Sequence, residues 1–585
     1  MNDDSLNINH LWSVLLIEEL VRNGVRYFCI SPGSRSTPLT VAAARNPDAA
    51  TIICYDERGA AFHALGYARA QMRPAAVIST SGTATANYYP AVIEASVDGI
   101  PLVVLTADRP PELRSTGANQ TIDQPGIYGG YVRWQFDMPC PDEKIPLSMV
   151  LTTIDQAVYR AQLPPAGPVH INCMFREPLE PKSGSLPETY FGSIREWRSS
   201  REPHTRYHRP ERTPDINAVQ ETAAILKRSE RGLLAAGRLT SEKEIRAVAD
   251  LSQILKWPLF ADITSGLRLQ KALPYLIPYY DQLLFTRKFR EEYVPDTILH
   301  IGGQITSKRF LALTENAQVK RYLLVRNDPF RHDPGHTVTH RIDTEIDLFC
   351  AQLSENVETG TESRWLEPFT HFNGNVETLI EKSLLGTDKL SEPGTARIIS
   401  NSLHNDHNLF LASSMPIRDM DMYAVPGNGR VIAGSNRGAS GIDGTIAAAA
   451  GFAAGMKSDT TLLIGDIAAI HDCNSLSQLN RINQTVTVVI VNNGGGGIFS
   501  FLPIAEYEDV FEQYFGTPHD YNFSGLASAF NIDYYHPAAN SELIDVYRNA
   551  VKNGSPALIE VTIDRKENAE LHKTLKNLII KSIDS

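Results

Sequence analysis

Two side chains at the ends of apolar runs pose the first chemical question. TTLLIG leads into Asp466, and TVTVVIVN leads into Asn493, 27 residues further on. That interval holds one helix (DCNSLSQLNRI) and a return strand. In a parallel sheet both side chains therefore reach the same edge. Asp supplies an anionic hard oxygen and Asn a neutral one. With a loop carbonyl beyond Asn493 and phosphate oxygens, this set suits Mg²⁺. Four glycines, 494–497, follow at once. Glycine loses the most entropy on ordering, so such a run needs a reason. Backbone N–H and C=O groups drawing close to a metal-bound phosphate, where the next helix starts, would supply one.

Other chemistries lack their residues. There is no G-x-x-x-x-G-K-[ST], no H-E-x-x-H and no G-x-S-x-G. IGGQ (301–304) has the look of a dinucleotide turn without G-x-G-x-x-G, so no NAD or FAD is expected there. HDPGHTVTH spaces three histidines by four, but Pro334 and Gly335 break any helix and TVTHRI reads as a strand. No metal face is assigned to it.

The elements that must position Asp466 and Asn493 belong to a repeated pattern. In the first part of the chain, RYFCI (26–30), PAAVIST (74–80) and IPLVVLTA (100–107) read as strands, with a helix over YYPAVIEASV. A second series follows: GLLAAG (232–237), the helix EKEIRAVADLSQILK, PLFADI (258–263), DTILHIGG (296–303) and VKRYLLVRND (319–328). A third holds RVIAGS (430–435), a glycine-rich loop running into an alanine-rich helix, and the two strands above. Strands alternating with helices predict α/β units with mostly parallel sheets covered on both faces. The polar, Pro- and Arg-rich stretch 178–215 and VETGTESRWLEP (357–368) read as connectors. We divide the chain into 1–185, a linker 186–213, 214–356, a second linker 357–375, and 376–585.

The chain's 585 residues suit about three domains. A net charge of −12 excludes a basic nucleic-acid footprint over the whole chain. The six cysteines form no C-x-x-C and read as buried thiols of a reducing compartment. MNDDSLNINHLW lacks a signal pattern, and no apolar run is long enough for a bilayer, so a cytoplasmic location without stable membrane insertion is expected.

The Asp466 and Asn493 pair, as GD followed by NN, resembles the fingerprint of the thiamine diphosphate-dependent enzymes. Ile467 stands where many members have Gly. ISPGSRSTPL (30–39), FHALGYARA, STSGTATANYYPAV (79–92), LTADRPPELRSTGANQTIDQ (105–124), SNRGASGIDG (435–444) and NNGGGGIFSFLP (492–503) narrow the resemblance to the transferase family of menaquinone biosynthesis that joins 2-oxoglutarate to isochorismate. ITSKRFLAL (305–313) is the clearest match in the middle. The resemblance implies pyrimidine-binding, central Rossmann-like and diphosphate-binding domains in that order. It implies decarboxylation of 2-oxoglutarate and addition of the succinyl carbanion equivalent to isochorismate, with CO₂ released and the pyruvate side chain retained.

It also implies roles. Asp466, Asn493 and the Gly495 carbonyl would hold Mg²⁺, or Mn²⁺, against the diphosphate, with Gly465, Ile467 and Gly496 beside them. Glu57, in CYDERGAAFHALGYARA, would serve as the carboxyl group beside the aminopyrimidine; Asp56 and Arg58 are its rivals from spacing alone. Gly441 and Ile442 would hold the cofactor bent. Both substrates are polyanions, which suits bidentate arginines. Ser414 and Arg418, in SSMPIRDMD, would hold the succinyl carboxylate, and Arg437 would stabilise developing charge. Arg35, Arg109, Lys308 and Arg309, with Asn119 and Gln120, would grip isochorismate against a wall of Ile498, Phe499 and Leu502. SSMPIR departs from the family's NSxxxR form, which puts the local backbone in doubt. The active site would be shared between subunits of a homodimer or homotetramer. An acetolactate-synthase-like or other 2-oxoacid decarboxylase, and a non-catalytic cofactor-binding sensor, remain the alternatives.

Overall fold

Apolar runs that lack alternation become strands buried on both faces, and they pair in parallel. A computed structural model describes residues 7–270, 273–360, 364–405, 407–427 and 430–585. Residues 361–363 of the second connector lie outside these. The first sheet holds β1 (Tyr27–Ile30), β2 (Ala50–Ile53), β3 (Ala75–Ser79), β4 (Leu102–Asp108), β5 (Trp134–Met138) and β6 (Pro168–Met174). The second holds β7 (Gly232–Ala236), β8 (Leu259–Ala261), β9 (Thr297–Ile301), β10 (Arg321–Arg326) and β11 (His340–Asp343). The third holds β12 (Asn408–Leu411), β13 (Ala433–Gly434), β14 (Thr460–Gly465), β15 (Val486–Asn492), β16 (Asp533–Tyr535) and β17 (Ala557–Thr562). Every residue of β3, β4, β6, β7, β9 and β15 is buried, as helices on both faces require.

The strand order is β2-β1-β3-β4-β6-β5 in the first sheet and β13-β12-β14-β15-β17-β16 in the third. The two orders are the same pattern used twice. The second sheet, β11-β10-β9-β7-β8, is a doubly wound order. In each, the order reverses beside the first strand, and the crevice beyond the strand ends opens there. In the third sheet that point lies between β12 and β14, whose loops carry Ser414 and Asp466.

The RVIAGS strand shrinks to the two residues of β13, and the segment after Asp472 forms a 3-10 helix, Cys473–Arg481. The linker 186–213 is not featureless. It holds a 3-10 turn, Glu188–Ile194, and a short helix, Arg195–Ser199.

The chain forms two compact units. One runs up to Pro210 and includes Asn436–Lys457 and His471–Gln484; the other holds the remainder, with the second and third sheets. Within the first unit, helix Glu57–Gln71 packs tightly on helix Thr445–Met456. A Cβ on Gly66 would lie 2.0 Å from the Ala448 carbonyl oxygen, and one on Gly451 would lie 1.9 Å from that of His63. Only glycine permits this approach. Among the described residues, no helix is long and apolar enough to cross a membrane.

Candidate active site

The residues predicted to hold a metal and a diphosphate come together in the second unit. β14 and β15 are adjacent and parallel, with Gly465 opposite Val491, so Asp466 and Asn493 emerge at one edge. Asp466 is 2% exposed. Its Oδ1 accepts from the Ile467 N–H at 2.7 Å and its Oδ2 from the Gly495 N–H at 2.9 Å. His519 Nε2 stands 3.2 Å from Oδ2. Burial pushes the Asp466 carboxyl above its usual range, opposed by these N–H groups and His519. Asn493 donates Nδ2 to Glu392 Oε1 at 2.7 Å, and its Oδ1 is buried with no partner among the described residues. A buried amide oxygen without a donor is costly unless something accepts its lone pairs. With the Asp466 carboxylate beside it, the pair fits a hard divalent cation.

The glycine run has a different immediate cause from the one expected. All four N–H groups bond within the protein: Gly494 to Asn492 Oδ1, Gly495 to Asp466, Gly496 to the Gly516 carbonyl and Gly497 to the Gly495 carbonyl. What approaches so closely is the chain's own turn. A Cβ on Gly495 would lie 2.1 Å from the Gly516 oxygen, and one on Gly496 2.2 Å from that of Phe515. Gly494 and Gly495 have φ of 70° and 148°, which disfavours other residues. The Gly495 carbonyl keeps one lone pair beyond its bond from Gly497. Ile498 and Phe499 are half-buried and Leu502 exposed in the turn that follows.

SSMPIR spans the start of a helix. Ser414, after β12, adopts φ 71° and precedes helix Met415–Tyr423. Arg418, one turn on, donates Nη1 to the Ser414 carbonyl. A guanidinium at a helix N-terminus is a cationic pair of features suited to a carboxylate. Arg309 is half-buried, paired with Asp281 and 4.1 Å over the Phe285 ring, while Lys308 beside it is exposed.

Sequence reasoning missed the acid group behind Asn493. Glu392 begins helix Glu392–Ser402, Asp419 lies on helix Met415–Tyr423, and His572 on helix Arg565–Asp584. Their ligand atoms lie within 4.8 Å of one another. Burial and the Glu392 charge hold Asp419 well above the carboxylate range. Burial lowers His572 to about 3, so it is neutral.

The first unit holds the remaining candidates. Glu57 opens helix Glu57–Gln71. Its rivals are otherwise engaged: Asp56 caps the helix through the Arg58 N–H at 2.8 Å and accepts from Asn474, while Arg58 donates to the His471 carbonyl at 2.7 Å. Arg35 is buried and donates to the Phe175 carbonyl at 2.9 Å; burial and then the charge of Arg109 lower its pKa. Arg109 donates to the Asn119 carbonyl at 3.0 Å, and Gln120 donates Nε2 to the Ser81 carbonyl at 3.0 Å with φ 55°. Arg437 is half-buried, in a turn whose next two N–H groups, Gly438 and Ala439, bond to Glu94 at 2.8 and 2.6 Å. Gly441 and Ile442 follow, half-buried.

Three family models cover the chain. They are the N-terminal TPP binding domain of thiamine pyrophosphate enzymes at residues 13–127, the thiamine pyrophosphate middle domain at 188–411 and the C-terminal TPP binding domain at 420–561. The fold is thus that of a thiamine pyrophosphate enzyme. Curated relatives named 2-succinyl-5-enolpyruvyl-6-hydroxy-3-cyclohexene-1-carboxylate synthase align over almost the whole length. The Rubrobacter xylanophilus protein is 48% identical over 98% of this chain and 99% of its own. The Salinibacter ruber protein is 44% identical over 99% and 98%, and that of Prosthecochloris aestuarii 44% over 99% and 98%. The chain belongs to the 2-succinyl-5-enolpyruvyl-6-hydroxy-3-cyclohexene-1-carboxylate synthase family.

Proposed function

We propose that this chain decarboxylates 2-oxoglutarate and transfers the succinyl unit to isochorismate, releasing CO₂. The observation that carries this reading is the Asn493 Oδ1, buried without a partner among the described residues, at the same sheet edge as Asp466 and within the span matched by the C-terminal TPP binding domain. Asp466, Asn493 and the Gly495 carbonyl would hold Mg²⁺ against the diphosphate of thiamine diphosphate. The cofactor, when bound, supplies the thiazolium carbon that makes loss of CO₂ from a 2-oxoacid possible.

The chain's own residues do the rest. Glu57 exchanges a proton with the aminopyrimidine ring, a role open to it because Asp56 and Arg58 are tied into the helix start. Ser414 and Arg418 hold the distal carboxylate of 2-oxoglutarate at a helix N-terminus. Arg35 and Arg109 lie in the loops after β1 and β4 and receive the carboxylates of isochorismate; the Arg109 charge is felt at Arg35, and two cations acting together favour a dianion. Arg437 stabilises charge as the new bond forms. A homodimer or homotetramer would bring Glu57 of one subunit to the Asp466–Asn493 edge of another.

The test is turnover. Purified protein with thiamine diphosphate, Mg²⁺, 2-oxoglutarate and isochorismate should consume isochorismate, and pyruvate should not replace 2-oxoglutarate. Cofactor binding without isochorismate loss would overturn the assignment.

A further inference from the structure

An asparagine can offer a cation its oxygen only if its amide nitrogen is held elsewhere. The two ends of the amide have nearly the same shape, and the surrounding hydrogen bonds decide which one faces the site. In this chain Glu392 Oε1 accepts from Asn493 Nδ2 at 2.7 Å, which leaves Oδ1 buried and partnerless. A carboxylate accepts and never donates, so it admits only this orientation of the amide.

Glu392 is itself braced. Its backbone N–H donates to Asn568 Oδ1 at 3.1 Å. A carboxylate oxygen of Glu392 lies within 4.8 Å of one of Asp419, the two carboxyl groups being buried together. Asp419 Oδ1 is 3.4 Å from His572 Nε2, and the Tyr423 hydroxyl is 3.2 Å from His572 Nδ1. Asn568 and His572 sit one turn apart on helix Arg565–Asp584. A buried polar chain thus runs from the C-terminal helix through Asp419 and Glu392 to Asn493. Burying this many polar groups costs stability unless they are satisfied and serve a purpose.

We propose that Glu392 is a positioning residue that aims the Asn493 carbonyl oxygen at the divalent cation, with Asp419, Asn568 and His572 holding Glu392 in place. This rests on the metal reading of the Asp466–Asn493 edge. Residues behind a metal ligand commonly change metal affinity by about 10- to 100-fold when lost.

The experiment titrates the full-length protein with Mn²⁺ in the presence of thiamine diphosphate, following free Mn²⁺ by electron paramagnetic resonance. Wild type should take one Mn²⁺ per chain. E392M, of similar shape without an acceptor, should bind about 10- to 100-fold more weakly. E392Q keeps an acceptor oxygen and should recover most of the affinity. Unchanged affinity in E392M, folded by thermal unfolding, would overturn the inference. So would a second Mn²⁺ per chain that E392M loses, because the acid group would then be a cation site itself. No Mn²⁺ on wild type would remove the metal reading and the inference with it. Should E392M not fold, D419N and D419L repeat the comparison one contact further back. D419N should keep the affinity and D419L lose it, and equal affinities would overturn the proposal.

Discussion

Glu94 accepts hydrogen bonds from the backbone N–H groups of both Gly438 and Ala439, at 2.8 and 2.6 Å, and so fixes the turn that presents Arg437. The carboxylate is 2% exposed, with Arg69 Nη2 3.4 Å away. Gly438 is needed because a Cβ there would lie 2.7 Å from the Glu94 carbonyl oxygen. Replacing Glu94 by Ala removes two charge-assisted bonds, each contributing about 1.5–3 kcal/mol. The expected outcome in steady-state kinetics is a fall of about tenfold or more in kcat with Mn²⁺ affinity unchanged. Unaltered kcat would dissociate the turn from the chemistry.

Glu57→Gln keeps the shape of the side chain and removes the exchangeable proton. Turnover should drop by about 10²-fold or more. Equilibrium dialysis should find Mg²⁺ and thiamine diphosphate still bound, because the Asp466–Asn493 edge is untouched. Wild-type turnover would eliminate Glu57 from the mechanism.

Gly451→Val places a Cβ 1.9 Å from the His63 carbonyl oxygen and adds two methyl groups to it. Overpacking of this kind costs about 1–3 kcal/mol, more where backbone is the obstacle. The denaturant midpoint should fall accordingly. A midpoint equal to wild type would mean that the helix seam is looser than the structure has it.

The buried histidines should make the fold lose stability in acid. Burial lowers His63, His170 and His407 to about 4 and His300 to about 3. Unfolded, each binds a proton near pH 6.5; folded, it resists until about 4 or below. The unfolded state therefore carries more protons in that window, and stability contributed above pH 6.5 is lost as pH falls through it. His63 hydrogen-bonds Gln478 Oε1 at 2.7 Å and the Tyr27 hydroxyl at 2.9 Å. In H63Q the slope of unfolding free energy between pH 6.5 and 4 should flatten. An unchanged slope would remove His63 as a contributor.

Gly495→Ala should distort the loop proposed to hold the metal, since its Cβ would meet the Gly516 oxygen at 2.1 Å. We expect Mn²⁺ affinity in the presence of thiamine diphosphate to fall at least tenfold. Retained affinity would show that the turn yields.

How much of this was legible in the sequence depends on distance along the chain. Asp466 and Asn493 could be paired because one helix and one strand separate them, and chain direction alone puts strand ends on one edge. The three sheets followed from uninterrupted apolar runs. Glu392, Asp419 and His572 could not be found that way. They come from three helices, and nothing in SEPG, RDMD or ELHK distinguishes a buried acid from a surface one. The glycine run was read as making room for a phosphate, whereas the space goes to the Phe515–Thr517 backbone, which local sequence cannot foresee. The Arg309–Asp281 pair was invisible for the same reason, since its members stand 28 residues apart.

The chain passes between its two units at Pro210, Ser435, Lys457, Ile470 and Gln484. No single cut releases either unit as one continuous polypeptide. A fragment ending at Pro210 would lack the helix Thr445–Met456 against which Glu57–Gln71 is seated, and would expose its glycine groove to water. Attempts to express the amino-terminal portion alone, or to recombine thirds of the gene between relatives at the boundaries of the sheets, would sever that seam; exchanges must carry 436–457 and 471–484 along with it.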